Sequence, residues 1–285
     1  MTTAPSHQVT QSSLSLAQTH YENFPVASVL LPMRLRRPIG LIYAFARNAD
    51  DFADEGNLAP QERLALLDGY RKQLDRIASG ASAETELFAT LEAMIRSHHL
   101  PLQPFYDLLD AFSQDVVKAR YEDLGEVMDY CRRSANPIGR LMLHLYGEAT
   151  PRNIGYADAI CSALQIINFL QDVAIDYRKN RIYLPLDELR QYRITEDQIA
   201  RGDPSGAWST FMQFQIERTR KLLQAGAPLG LVLRGRIGLE MRTIIAGGDT
   251  ILKKLHRARG DIFHHRPVVK PWDWAAMLYR AVRAK

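Results

Sequence analysis

Residues 156–177 read "YADAICSALQIINFLQDVAIDY". Ile166, Ile167, Leu170, Val173 and Ile175 cover several sides of this stretch, which predicts a long, largely buried helix. One stripe interrupts the apolar surface. Asn168, Asp172 and Asp176 recur every four residues, which sets an amide and two carboxylates one above the other on a single face. Such a stripe is either solvated or the wall of a site that holds a cation.

Outward from it the three- and four-residue spacing continues in "PQERLALLDGYRKQLDRIA" (60–78), "TELFATLEAMIRSHH" (85–99), "PFYDLLDAFSQDVV" (104–117) and "LVLRGRIGLEMRTIIAG" (231–247). Alternation of period two is almost absent, so the chain reads as all-α. Breaks fall at Pro32, Pro60, Pro101, Pro104, Pro137, Pro151, Pro185, Pro204 and Pro228, where proline starts or stops a helix. No Gly/Ser linker divides the chain. The expectation is a Ser-, Thr- and Gln-rich flexible tail over residues 1–17 and one helical domain over 18–285.

With 46% hydrophobic and 24% charged residues, the chain has the composition of an ordinary globular protein with a sizeable core. Its net charge of +4 is spread in pairs such as Arg36-Arg37, Arg132-Arg133 and Arg178-Lys179. That pattern argues against nucleic acid and for small anionic ligands or a membrane surface, a solvated basic surface being the plain alternative. Cys131 and Cys161 lie in apolar helical patterns without a Cys-x-x-Cys pairing, as core thiols of a reducing compartment do. There is no basic start followed by an apolar stretch, as in a signal peptide, and no uninterrupted apolar run near the roughly 18 residues of a spanning helix. A cytoplasmic protein is expected, at most peripheral on the inner face of the membrane, although no strongly basic amphipathic segment stands out.

The chain holds a second acidic cluster. Residues 48–55 read "NADDFADE" and follow the mostly apolar "IGLIYAFA". Asp50 and Asp54 share a helix face one turn apart and repel each other unless a cation offsets them. Alone the string is weak evidence, since a polar helix end reads the same. Two such clusters, rich in hard oxygen ligands and lacking His or Cys, suit magnesium shared with a substrate diphosphate. Tyr43 and Arg47 precede the first cluster by two turns and by one, and Arg178, Lys179, Arg181 and Tyr183 follow the second, where arginine forks match phosphate oxygens. Each of these taken singly is as readily a surface residue. His98-His99 and His264-His265 are adjacent pairs that diverge on a helix, and His144 reads as a core or cavity-wall residue.

Three stretches, "IYAFARNADDFADE" (42–55), "YCRRSANPIG" (130–139) and "INFLQDVAIDYRKNRIYLP" (167–185), together resemble the squalene and phytoene synthase family of head-to-head prenyl-transferring enzymes. The resemblance runs from about His20 into the middle two hundreds. It implies a single-domain isoprenoid synthase fold, with helices around a central cavity and two aspartate-rich helices facing each other across it. It further implies Asp50, Asp54, Asp172, Asp176 and Asn168 as magnesium ligands, the four aspartates being catalytic, and Tyr43, Arg47, Arg181 and Tyr183 as diphosphate-binding groups.

The departures are as informative. Gln171 and Ile175 stand where most of the family has an Arg and a Glu, removing one cation and one anion beside the diphosphate. Asn136-Pro137 replaces a flexible Ala-Gly pair; Pro137 disfavours helical geometry at Asn136 and turns its amide toward the cavity, or marks a kink without chemistry. The opening "HYENFPVASVLLP" (20–32) keeps only His20 and Phe24 of the family's usual segment. Together these changes are similar to the hydroxysqualene-forming branch of bacterial hopanoid pathways. That branch implies presqualene diphosphate as the partner, ionised with magnesium and quenched by water. No strand with a Gly-rich loop marks a nicotinamide site, which suits water rather than hydride quenching.

Aromatic faces such as Phe24, Phe45, Tyr130 and Phe169 are candidates to line the pocket and steady a carbocation, and equally candidates for plain core. Open alternatives are presqualene diphosphate, squalene or phytoene synthesis from two prenyl diphosphates, a chain-elongating prenyltransferase or terpene cyclase, and a non-catalytic helical assembly factor. Oligomeric state and membrane contact stay open.

Overall fold

The computed structural model of the protein describes residues 30–284. The expected tail over 1–17, His20 and the candidate pocket residue Phe24 lie outside the described residues.

The first helix, α1 (Met33–Asp54), carries "NADDFAD" on its last two turns and buries Leu35, Ile39, Ile42, Phe45 and Ala49 on the opposite side. Next come α2 (Pro60–Ser79), α3 (Glu86–His98) and α4 (Gln103–Val117), bounded within a residue or two of where periodicity and proline set them. Their starts are chemically specified. Pro60 and Pro104 occupy first-turn positions where the missing N–H costs nothing, and Thr85 Oγ1 accepts the Phe88 amide at the head of α3.

Two short helices follow, α5 (Leu124–Ser134) and α6 (Asn136–Tyr146). The expected break is there but one residue earlier: Ala135 is the joint, and Asn136, expected to be non-helical, opens α6 with Pro137 in its first turn, where proline is tolerated. Asn136 is buried, and its Oδ1 accepts the Ser162 hydroxyl at 2.9 Å.

The axis of the molecule is α7 (Pro151–Arg178), capped by Thr150, whose Oγ1 accepts the Asn153 amide at 3.2 Å. Helix α7 packs against α5 and α6, and against α10 (Trp208–Gly226) and α12 (Gly235–Arg257) on other sides. At Gly139 of α6 a Cβ would stand 2.6 Å from Cys161 Sγ, so the close approach to α7 requires glycine there. Burial pushes the thiols of Cys131 and Cys161 up to about 12, which makes both poor nucleophiles. By length and composition α7 is apolar enough to cross a membrane, yet half of its most apolar stretch is buried inside the molecule, as in the core helix of a bundle.

The chain reverses after α7 through Asn180, whose φ of 59° is a left-handed geometry that asparagine tolerates. The all-α expectation needs one small amendment here: β1 (Arg120–Tyr121) pairs in parallel with β2 (Ile182–Pro185). The Ile182 amide donates to the Ala119 carbonyl at 2.9 Å, and Arg120 donates to the Asn180 carbonyl at 2.6 Å. This patch of sheet clamps the reversal to the end of α4.

The remaining helices are α8 (Leu186–Gln191), α9 (Glu196–Ala200), α11 (Leu229–Val232) and α13 (Pro271–Arg283). The run 231–247, read as one helical pattern, is cut between α11 and α12. Gly235 has a φ of +61°, and a Cβ on Gly238 would fall 1.9 Å from the Leu233 carbonyl oxygen, so the glycines fold a corner that hydrophobic spacing does not reveal.

Two apolar clusters result. One is built on α7 with α10 and α12 (Ile160, Ile167, Leu170, Trp208, Phe211, Leu252), the other on α1 to α4 (Phe45, Leu74, Phe88, Phe105, Leu108). Each fully buried Leu, Ile or Phe contributes about 1.5–3 kcal/mol. Tyr146 and Ile237 pack against both clusters, so the helices that bear the two acidic stripes belong to adjoining cores.

Candidate active site

Both acidic stripes lie toward the C-terminal ends of their helices. A helix C-terminus already presents partial negative charge, so carboxylates there are doubly unfavourable without cations. The last turn of α1 has no basic residue. Its neighbour one turn back fills part of the deficit, with Arg47 2.7 Å from Asp51 and 3.5 Å from Asp50. Tyr43, half-buried, stands one turn before Arg47.

Asp54 is met from the other helix. Lys179 Nζ approaches its Oδ2 at 3.1 Å and Arg181 Nη1 its Oδ1 at 2.6 Å, both from the reversal after α7. The ends of α1 and α7 therefore converge. Burial would raise the Asp54 carboxyl, but Arg181 and Lys179 outweigh it and hold the group below the usual carboxylate range.

Among the described residues Asp176 meets no such fork. Burial first, then the neighbouring charges of Asp172 and Asp54, push its carboxyl up to about 7 despite Arg181 and Lys179. That Asp54 and Asp172 both act on Asp176 shows the two stripes sharing one electrostatic environment. Asn168, half-buried, completes the α7 stripe one turn before Asp172.

Asp172 receives a cation that sequence reasoning missed. Arg266, in the loop before α13, donates through Nε and Nη2 to the two carboxylate oxygens, the latter at 2.9 Å. The loop is held by Gln171, which is 1% exposed and donates Nε2–H to the Pro267 carbonyl at 2.5 Å. The positive charge lacking at position 171 is thus met in space by Arg266. Ile175 lies at 37% exposure, outside the acidic stripe.

A second missed residue is Asp115, at the end of α4. It is buried and accepts the hydroxyls of Tyr130 at 2.5 Å and Tyr183 at 2.8 Å, while its main-chain carbonyl accepts Arg181 Nη2 at 3.1 Å. Burial pushes its carboxyl up to about 6, against the lowering effects of Tyr130, Arg181 and Tyr183. The signal was available: Leu108, Phe112 and Asp115 share a helical face, so an acid occupied a core position. Burial and then Asp115 raise both phenols, which stay protonated donors.

Phe169 stacks on Tyr183 with ring centroids 4.1 Å apart and planes 3° from parallel, and Tyr130 stands 5.4 Å from Tyr183. Phe45 lies apart from this group. It makes edge contacts with Phe88 and Phe105 at 5.9 and 5.2 Å within the other cluster. Beside the converging ends opens a cleft of about 490 Å³, lined among others by Asp54, Asp115, Lys179, Arg181, Arg63 and Lys118. Among the described residues no three His, Cys, Asp or Glu side chains stand close enough to hold an ion as they are now arranged. Arg47, Lys179, Arg181 and Arg266 instead lie on the carboxylates of Asp50, Asp51, Asp54 and Asp172.

A helical fold with two acidic helix ends joined by Lys and Arg is that of the isoprenoid synthases. The squalene/phytoene synthase model matches residues 17–273, and the chain belongs to that family. It is 37% identical to a hydroxysqualene synthase of Rhodopseudomonas palustris over 96% of this chain and 92% of the relative. It is 31% identical to a phytoene synthase of Arthrospira platensis over 88% of this chain and 85% of the relative. Among solved structures, squalene synthase HpnC from Alicyclobacillus acidocaldarius superposes with a TM-score of 0.79 at 32% identity, covering 90% of this chain and 97% of that one.

Proposed function

We propose that the protein is a hydroxysqualene synthase, which ionises presqualene diphosphate and lets water capture the rearranged cation. The convergence of Asp54, Lys179 and Arg181 beside Asp172 and Asp176 carries this reading. Arg47, Arg181, Lys179 and Arg266 can each exchange a carboxylate for a diphosphate oxygen, so the site gains anion-binding capacity as the substrate arrives.

The donor set fits magnesium. Asp50, Asp54, Asn168, Asp172 and Asp176 offer only hard oxygens, and the repulsion that lifts Asp176 is the kind a divalent cation relieves. Bound there, the ion supplies Lewis acidity toward the leaving diphosphate. The chain's own part is to orient that group and neutralise its charge as the carbon–oxygen bond breaks. The stacked faces of Phe169 and Tyr183 and the ring of Tyr130 are suited to steady a nearby carbocation, by about 2 kcal/mol when desolvated. Water then adds its oxygen to the cation and loses one proton, giving the alcohol and free diphosphate.

Extensive identity to hydroxysqualene synthases supports this branch over its neighbours. Similarity to phytoene synthases keeps one other reading in play, the joining of two prenyl diphosphates. Retention of every acid on both stripes argues against a non-catalytic assembly factor. The test is to incubate the purified protein with magnesium and either farnesyl diphosphate or presqualene diphosphate, then identify products by mass spectrometry. Hydroxysqualene from presqualene diphosphate alone is expected. Efficient turnover of farnesyl diphosphate by itself would move the protein to the condensing branch.

A further inference from the structure

Helix α13 is apolar on two opposite sides. Met277 and Ala281 are buried, whereas Trp272, Leu278, Tyr279 and Val282 are 67%, 38%, 58% and 68% exposed. At about 100° per residue these four fall on one arc, facing away from the buried pair. Arg242 on α12 donates to the carbonyls of Ala281 (2.5 Å) and Gly230 (2.6 Å), which ties α11, whose Leu231 and Val232 are also exposed, to the end of α13.

Two cations flank this face. Lys270 Nζ stands 5.1 Å from the Trp272 ring centroid and the Arg283 guanidinium 4.8 Å from that of Tyr279. Arg280 is turned away from it, to Asp249 of α12 at 4.0 Å. The helix's one acid, Asp273, is turned onto Lys254 and away from the arc. Exposed Trp and Tyr next to aliphatic side chains, with Lys and Arg at the margin, form the pattern of a helix lying in a membrane interface.

We propose that this face docks on the surface of an anionic lipid bilayer, with Trp272 and Tyr279 at headgroup depth and Leu278 and Val282 beneath them. A second copy fits poorly, because a two-fold pairing of the face would oppose Lys270 and Arg283 to their own counterparts with no acid of α13 between them. Docking also has a place in the molecule. Lys270 and Trp272 follow closely on Arg266, whose guanidinium lies on Asp172, so a docked α13 sets the acidic site beside the membrane surface. The inference stands on α13 itself and is independent of which prenyl diphosphate the site takes.

The test is flotation of the full-length protein with vesicles of phosphatidylcholine alone or mixed with phosphatidylglycerol, without substrate. Binding to the mixed vesicles, weakened by salt, is expected. The combined variant Trp272→Ser, Tyr279→Ser, Val282→Ser is expected to bind at least about tenfold less while keeping the parent's circular dichroism. Lys270→Gln with Arg283→Gln is expected to lose the preference for the anionic lipid. In the parent protein, brominated lipid should quench tryptophan emission, a readout that needs no variant. The proposal is overturned by absence of flotation, by absence of quenching, by a folded combined variant that floats like the parent, or by a parent dimer that this variant converts to monomer.

Discussion

The acids of α1 and those of α7 are balanced by different means. On α1, Arg47 reaches Asp50 and Asp51 from one turn away on the same helix. On α7, the cation on Asp172 comes from Arg266, 94 residues further along, and the cations of the reversal that ends α7 go across to Asp54. Local balance, at Asp50 and Asp51, is written in the helical spacing and forms with the helix. Balance at a distance, at Asp172 and at Asp54, exists only when the loop before α13 and the reversal after α7 are in place, so these two acids depend more on tertiary structure.

The comparison is broken most severely by neutralising one acid on each helix. Asp54→Asn and Asp172→Asn are each expected to reduce diphosphate release by about 10²- to 10³-fold with secondary structure retained, as measured by phosphate-coupled assay and circular dichroism. A large loss from one and none from the other would mean that a single stripe does the work.

Asp115 joins the two sides through Arg181, Tyr130 and Tyr183, and its contribution to stability has a definite sign. Its carboxyl titrates near 6 in the folded chain against an ordinary 3.8. The folded state then holds more protons between those values, so this group's contribution falls as pH rises through that window, by about 3 kcal/mol at most. Asp115→Asn should remove that slope. Urea denaturation of both proteins at about pH 4 and about pH 7 measures it.

Much of this was legible in sequence. Helix starts at Pro60, Pro104 and Pro151 and the break before Asn136-Pro137 follow from local chemistry, and so does the one-turn spacing inside each acidic stripe. The facing of the two acidic helices was implied only by resemblance, because a contact such as that of Lys179 with Asp54, 125 positions apart, leaves no periodic trace. Asp115 showed as an acid in a buried register, whereas Arg266 had no local signature. Gln171 looked like a lost charge, and its amide proves to hold the loop that carries another. The corner at Gly235 escaped because apolar spacing continues across it.

Smaller effects sharpen the contrast between local and distant balance. Arg266→Gln is expected to lower kcat/KM about tenfold, and Arg47→Gln to leave proteolysis of the 258–270 loop unchanged while Arg266→Gln accelerates it. Gln171→Leu keeps the volume of the side chain and loses one buried hydrogen bond, a cost of about 1 kcal/mol in denaturant unfolding. Faster hydrogen exchange around residues 264–270 should accompany it.

Titration calorimetry of diphosphate into the protein, with and without magnesium, tests most directly whether the two helix ends form one site. Binding should require magnesium and be lost in Asp54→Asn and Asp172→Asn alike, with the double variant no worse than either. Binding that ignores magnesium, or that survives in one single variant undiminished, would contradict a shared site.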